Sequence, residues 1–319
     1  MRSVAVVLAT LGACKLGDTT FQHGNPDDAD VAITDTGVGD GPVADAPAFD
    51  PLPGAGIVEL VQGGYSFVEG PQWREAEGDL VFSDIPANRI YRYTPGGGAP
   101  VIYRMPSGNS NGLATDGDGA VIAAQHGTRS VTRGGVDIAT MLNGQRLNSP
   151  NDVVVADDGT IYFTDPPYGL TEPSELGFMG VFRLSGTTLT AEYMGPTASR
   201  PNGIGLAPDG TRVYVADTSD GNVYVFPVMP GGALGARSMF ADTAGGADGL
   251  AIDTGGNVFV TSNAGIEVFA PDGARWGAIA TPMKPANCAF GDADHRTLYI
   301  TAQNGLYRVR LANAGLPRR

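Results

Sequence analysis

Between residues 67 and 311 one arrangement of residues returns six times, and a chain that repeats in this way has few folds open to it. Each copy opens on a residue with a side-chain oxygen: Glu69, Asn111, Asn151, Asn202, Asp248 and Asn287. Successive openings lie 42, 40, 51, 46 and 39 residues apart. An apolar run follows each opening, then a turn rich in Asp and Gly. A second run of β-branched and aromatic residues comes next: LVFSD (80–84), AVIAAQ (120–125), TIYFTD (160–165), RVYVAD (212–217), NVFVTS (257–262) and TLYITA (297–302). Two short runs joined by an Asp-Gly turn are a β-hairpin. Third runs, such as RIYRYTP (89–95) and GLYRVRL (305–311), extend each hairpin to a meander. A period near 40 with three or four strands per unit predicts an all-β fold, a six-bladed β-propeller.

The last unit ends at its third strand, so its outer strand must come from elsewhere. GIVELVQ (56–62) precedes the first opening as VIYR (101–104) precedes the second. It is therefore expected to join the sixth blade and close the ring. With 47 Gly, 23 Pro and only 17% charged residues, composition favours strands and turns over long salt-laced helices. A formal charge of −14 argues against a nucleic-acid partner, which would call for a basic stripe.

The residues before the repeats are different material. Met1 to Ala13 carries one basic residue and an apolar run too short to span a bilayer. Leu11-Gly12-Ala13-Cys14 resembles a bacterial lipobox, in which Cys14 takes the lipid. Lys15 to Pro53 holds eight Asp and one cation among Gly, Ala, Pro and Thr, too little apolar surface to offset its ordering entropy. The expected organisation is a lipoprotein signal peptide (1–13), an acidic disordered tether (14–54) and the propeller (55–319). Such a protein would be exported and anchored by lipid in a bacterial cell envelope, its only contact with a membrane. With Cys14 lipidated, Cys288 has no disulfide partner, and its apolar setting marks it as a buried hydrophobe.

Rotational repetition turns equivalent positions into a ring. The openings begin the innermost strands, so their side chains should face the mouth of the central channel. Single Asn and Asp residues at strand edges make local turn hydrogen bonds. That leaves Glu69 and the pairing of two acids in one ring unexplained. Two carboxylates about 5 Å apart repel by roughly 3 kcal/mol at an effective dielectric near 20. A divalent cation is the natural counterpart, and carboxylate and amide oxygens suit Ca²⁺ ahead of Zn²⁺ or Mg²⁺. A second ring follows at the ends of the second strands: Asp84, His126, Asp165 with Tyr168, Asp217, Ser262 and Gln303. No nucleophile elbow, phosphate loop, dinucleotide fingerprint or H-E-x-x-H occurs.

The openings, together with RLNSPNDVVV, IYFTDPPYG, RPNGI and LYITA, resemble the gluconolactonase-like family, also called senescence-marker-protein or regucalcin-like. The resemblance runs from about residue 55 to 311. It implies a six-bladed propeller with a divalent metal held by Glu69, Asn151, Asn202 and Asp248, and hydrolysis of a small-molecule lactone. It also implies that Asp248 is the catalytic general base and that Asn111 and His126 contact substrate; Tyr168 is a substrate-contact candidate from its place in the second ring. The implied mechanism is attack on the lactone carbonyl by a metal-activated water. Two alternatives stand beside it: a phosphotriester or other ester hydrolase on the same calcium site, and a non-catalytic propeller that binds a carbohydrate or protein. The lipobox and tether lie outside the family pattern.

Overall fold

The computed structural model describes residues 49–316. Cys14 and the expected signal and tether up to residue 48 lie outside the described residues.

Six four-stranded antiparallel sheets follow one another along the chain. Blade one is Val68–Arg74, Asp79–Asp84, Arg89–Tyr93 and Val101–Arg104, from the inner strand outward. Blades two to five repeat this order, with inner strands Ser110–Thr115, Val153–Val155, Pro201–Leu206 and Leu250–Ile252. Blade six is Pro285–Gly291, Thr297–Ala302 and Gly305–Arg310, with Glu59–Gly63 as its outer strand. The expected closure is therefore present: Glu59 pairs with Arg308 and Gly63 with Gly305. Inner strands touch in sequence, and the last touches the first, so the ring is complete.

The apolar runs are nearly continuous because both faces of each blade are covered. In blade three, Val153, Val155, Ile161 and Phe163 pack toward blade two, while Val154 and Tyr162 pack toward blade four. In blade two, Ile122 and Ala124 face blade three, and Val121 and Ala123 face blade one. The period-two alternation of a strand thus feeds two separate cores. Six apolar clusters among the described residues correspond to the six blade interfaces. The packing unit is the gap between blades rather than the blade.

At the end away from the openings, the chain after Arg310 turns back from blade six to blade five. Gly315 bridges Asp253, and the Leu316 N–H donates to the Ile252 carbonyl at 2.9 Å. Leu316 lines a cavity of about 440 Å³ with Val155, Leu206 and Ile252.

Candidate active site

The openings face the channel because the strands that carry them are interrupted there. In blades one, two, four and six the inner strand slips register at the opening, between Glu69 and Gln72, Ser110 and Leu113, Pro201 and Ile204, and Pro285 and Asn287. In blades three and five the ladder begins only after Asn151 and Asp248. A bulge of this kind turns a side chain away from the sheet face. Here it turns them toward the axis.

Backbone contacts then draw the openings together. The Gly112 N–H donates to the Asn151 carbonyl at 2.7 Å, Gly203 N–H to the Asp248 carbonyl at 3.0 Å, and Gly249 N–H to the Ala286 carbonyl at 2.7 Å. A Cβ on Gly203 would lie 2.2 Å from the Asp248 carbonyl oxygen, and one on Gly249 would lie 2.1 Å from the Asn287 side chain. In four of the six blades glycine follows the opening residue because the next blade occupies the space where a side chain would be.

The side chains form a connected set. Asn111 Nδ2 donates to Asn151 Oδ1, and Asn151 Nδ2 donates to Asn202 Oδ1. Asn202 Nδ2 reaches Thr218 Oγ1 at 3.0 Å and the Tyr168 hydroxyl at 3.4 Å. His126 Nε2 lies 2.9 Å from Asn151 Oδ1, and burial holds its pKa below the usual imidazole value. The neutral ring with its proton on Nε2 donates to that oxygen. Glu69, Asn111, Asn151 and Asn202 are all buried; Asp248 keeps an open side, and Tyr168 is exposed on the rim.

Charge is concentrated in this small volume. Burial, followed by the nearby Asp248 and Asp152 carboxylates, pushes Glu69 well above the usual carboxylate range, although its Oε2 accepts the Gly70 N–H at 3.0 Å. Burial pushes Asp248 up to about 7, with Asp152 adding to the rise and Lys284 and Asn202 opposing it. Uncompensated burial of this kind favours neutral acids. A cation among the same oxygens would reverse it.

Asp152 has no counterpart in the ring expected from the sequence. It stands where Gly70, Gly112, Gly203 and Gly249 stand in other blades, and it is 1% exposed. Its Oδ1 accepts the Val153 N–H at 3.0 Å, and its Oδ2 accepts the Ile204 N–H at 3.2 Å. An acid in a glycine position was the available signal. A layer of hydroxyls supports the same openings and carries no such signal. Ser83 Oγ donates to the Asn111 carbonyl at 2.8 Å, Thr164 Oγ1 to Asn202 at 2.7 Å, Thr261 Oγ1 to Ala286 at 2.8 Å and Thr301 Oγ1 to Asn287 at 3.2 Å. All four residues stand one place before the end of a second strand. They fix carbonyls at or next to the opening residues.

Most of the expected second ring is structural. Asp84 accepts the Ser66 and Phe67 N–H groups at 3.0 and 3.2 Å. Asp217 accepts the Arg200 N–H at 2.9 Å, and Asp165 the Asn148 N–H at 2.7 Å. Tyr168 differs because it rides on the loop after Asp165 and reaches back over Asn202. That loop is tied down by Glu175, which accepts from Arg129 Nη1 and the Arg146 N–H, both at 3.0 Å.

Comparison with known proteins agrees with this architecture. The family profile described as the SMP-30/Gluconolactonase/LRE-like region matches residues 67–304. A gluconolactonase of Zymomonas mobilis is 35% identical over 295 residues, spanning 81% of this chain and 82% of its own. The pentonolactonase XacC of Haloferax volcanii is 29% identical over 258 residues, spanning 74% of this chain and 81% of its own. The solved structure of a gluconolactonase from Xanthomonas campestris superposes with a TM-score of 0.74 at 32% identity, covering 84% of this chain and 98% of that one.

Proposed function

The chain belongs to the SMP-30/gluconolactonase/LRE-like family, and on that footing we propose that it hydrolyses a lactone at the mouth of the channel. The observation that carries this is the convergence of Glu69, Asn151, Asn202 and Asp248 in one buried, oxygen-lined pocket beneath an open rim. Their donor set fits a hard divalent cation. It offers two carboxylates and two amide oxygens, no sulfur, and a charge excess that burial alone would neutralise. Glu69, Asn151, Asn202 and Asp248 would hold the ion, with Ca²⁺ the best match to the donors. When bound, it would supply Lewis acidity toward the lactone carbonyl.

The chain's own groups would do the rest. Asp248 is the one acid of the set with an open side, so its carboxylate accepts a proton from the attacking water and returns it to the ring oxygen as the ester bond breaks. His126, neutral and held against Asn151, keeps that amide's oxygen oriented rather than exchanging protons with substrate. Asn111 and the exposed Tyr168 flank the entrance and would hold the hydroxyls of a sugar-derived ring. The acid–amide composition of the pocket favours this over covalent catalysis, which needs a nucleophile paired with a base.

The test is a hydrolysis panel of sugar lactones, acyl lactones and phosphotriesters, run with and without chelator. Chelator-sensitive opening of sugar lactones is expected. A purified, cation-supplied protein that leaves every lactone intact would overturn the proposal.

A further inference from the structure

Lysine is nearly absent from this chain, which has Lys15 and Lys284 alone. Lys284 stands on the loop between Arg275–Ile279 and Pro285–Gly291, immediately before the inner strand of blade six and therefore on the rim of the mouth. Its Nζ lies 3.1 Å from where a Cβ on Gly246 would be, two residues before Asp248. Its charge is close enough to oppose the rise in the Asp248 pKa. Among the described residues it makes no ion pair within 4 Å and no side-chain hydrogen bond, and it is exposed.

A second cation stands on the same rim, one residue before the inner strand of blade four. Arg200 Nη1 donates to the Thr197 and Ser199 carbonyls at 2.9 and 2.8 Å, which fixes the guanidinium without neutralising it. Its charge reaches the Tyr168 hydroxyl, as does that of Asp248. Of the acids near the pair, Asp248 feels the charge of Lys284 but is committed to the proposed cation, and the others are engaged elsewhere. Asp217 is buried against backbone N–H groups and Ser199, and Glu175 is bound to Arg129. An otherwise acidic protein therefore holds, at the entrance to its candidate site, two positive charges that make no salt bridge within 4 Å among the described residues. A neutral sugar ring offers such groups hydroxyl oxygens to donate to but no counter-charge.

Resting on the lactonase proposal above, we infer that the substrate is a lactone carrying an anionic substituent remote from the reacting ester, and that Lys284, assisted by Arg200, is the specificity-determining contact for it. Phosphate, sulfonate and carboxylate share the chemistry that an ammonium and a guanidinium recognise. The anion would sit at the rim while the ester carbonyl lies deeper, beside Asp248.

The experiment compares kcat/KM for a neutral sugar lactone with that for the same lactone bearing a terminal phosphate, sulfonate or carboxylate; the three arms separate the sources of the charge. Wild-type protein should prefer at least one anionic form, and the preference should shrink as salt is raised. Lys284→Gln should lower the anionic-to-neutral ratio about tenfold, chiefly through KM, with Lys284→Arg restoring most of it. Thermal melting of both variants verifies the fold. A wild-type ratio at or below one for every arm, or a ratio that Lys284→Gln leaves unchanged, overturns the inference. If no lactone is opened, the functional proposal fails by itself. Titration calorimetry with a sugar acid phosphate then decides the rim site: weaker binding by Lys284→Gln upholds it, and equal binding overturns it.

Discussion

Asp152 of blade three reaches across the channel to blade six, where Asn287 Nδ2 donates to its Oδ2 at 3.4 Å. The same oxygen takes the Ile204 N–H of blade four, so one carboxylate joins three blades beneath the candidate site. Asp152→Ala leaves two buried N–H groups and an amide without their acceptor and should destabilise the protein by about 2–4 kcal/mol. Asp152→Asn keeps an acceptor and should cost less than half as much. Urea unfolding of the two variants checks this; equal losses would mean that the charge, not the acceptor, is what the fold needs.

Removing charge without changing shape separates the cation from the fold. Glu69→Gln and Asp248→Asn should each weaken a divalent cation by about tenfold or more, since affinity follows the ligands' charge. Asn111→Ala should weaken it less. Added Ca²⁺ should raise the melting temperature of the wild type, and chelator should lower it, because an ion bound only by the native state stabilises by mass action. Calorimetric titration with Ca²⁺ and Zn²⁺ is the measurement, and unchanged affinity in both charge variants would place the ion elsewhere.

Catalysis should divide Asp248 from His126. If Asp248 both binds the ion and accepts the proton, Asp248→Asn should lower kcat by about 100-fold or more, within the usual worth of a general base. His126→Ala should cost less, since the ring acts through Asn151. Progress curves should show no initial burst of product, because no covalent enzyme intermediate forms. A burst, or a larger loss at His126, would refute the assignment.

Asp165 gives the fold a pH dependence of its own. The residue is fully buried, and burial pushes it up to about 7, against an ordinary value of 3.8. The folded state therefore holds this proton more tightly than the unfolded chain. The resulting stability is complete below about pH 4 and is lost as pH rises through 7, by about 4 kcal/mol at most. Asp165→Asn should flatten the difference between pH 4 and 8 and leave the protein more stable than wild type at pH 8. Urea unfolding across that range, compared between the two proteins, reads it; parallel curves would show that Asp165 titrates normally.

Ring closure is testable by truncation. Deleting residues 1–48 should leave the melting temperature within a few degrees of the full chain. Deleting through Gly63 removes the strand paired with Gly305–Arg310 and exposes its edge, so unfolding or aggregation is expected. A stable, monomeric product of the longer deletion would mean that the ring holds without its seam.

The blades were legible because strand length, turn chemistry and spacing are local, and repetition converts local signals into a global shape. VIYR at 101–104 is a strand with those bounds, and GIVELVQ supplies the closing strand, displaced to Glu59–Gly63. The axial positions of Glu69, Asn111, Asn151 and Asn202 were legible for the same reason. Asp152 was not, since its role depends on Ile204 and Asn287, which lie 52 and 135 residues away. The placing of His126 against Asn151 rather than free in the mouth depends likewise on how blade two meets blade three. Strand alternation fixed which residues are buried, but which neighbouring blade each one packs against needs the assembled ring.

The glycines behind the opening residues make these six repeats less interchangeable than their sequences imply. Gly203 is shaped to the Asp248 carbonyl, and Gly249 to Asn287, so the blades that carry such a glycine are keyed to the one that follows. Asp152 and Cys288 replace that glycine in blades three and six, and Asp152 alone puts an acid there and thereby gives the circle an origin. A blade copied into another blade's place would bring the right strands and the wrong key. Modularity in this propeller extends to its sheets and stops at the axis.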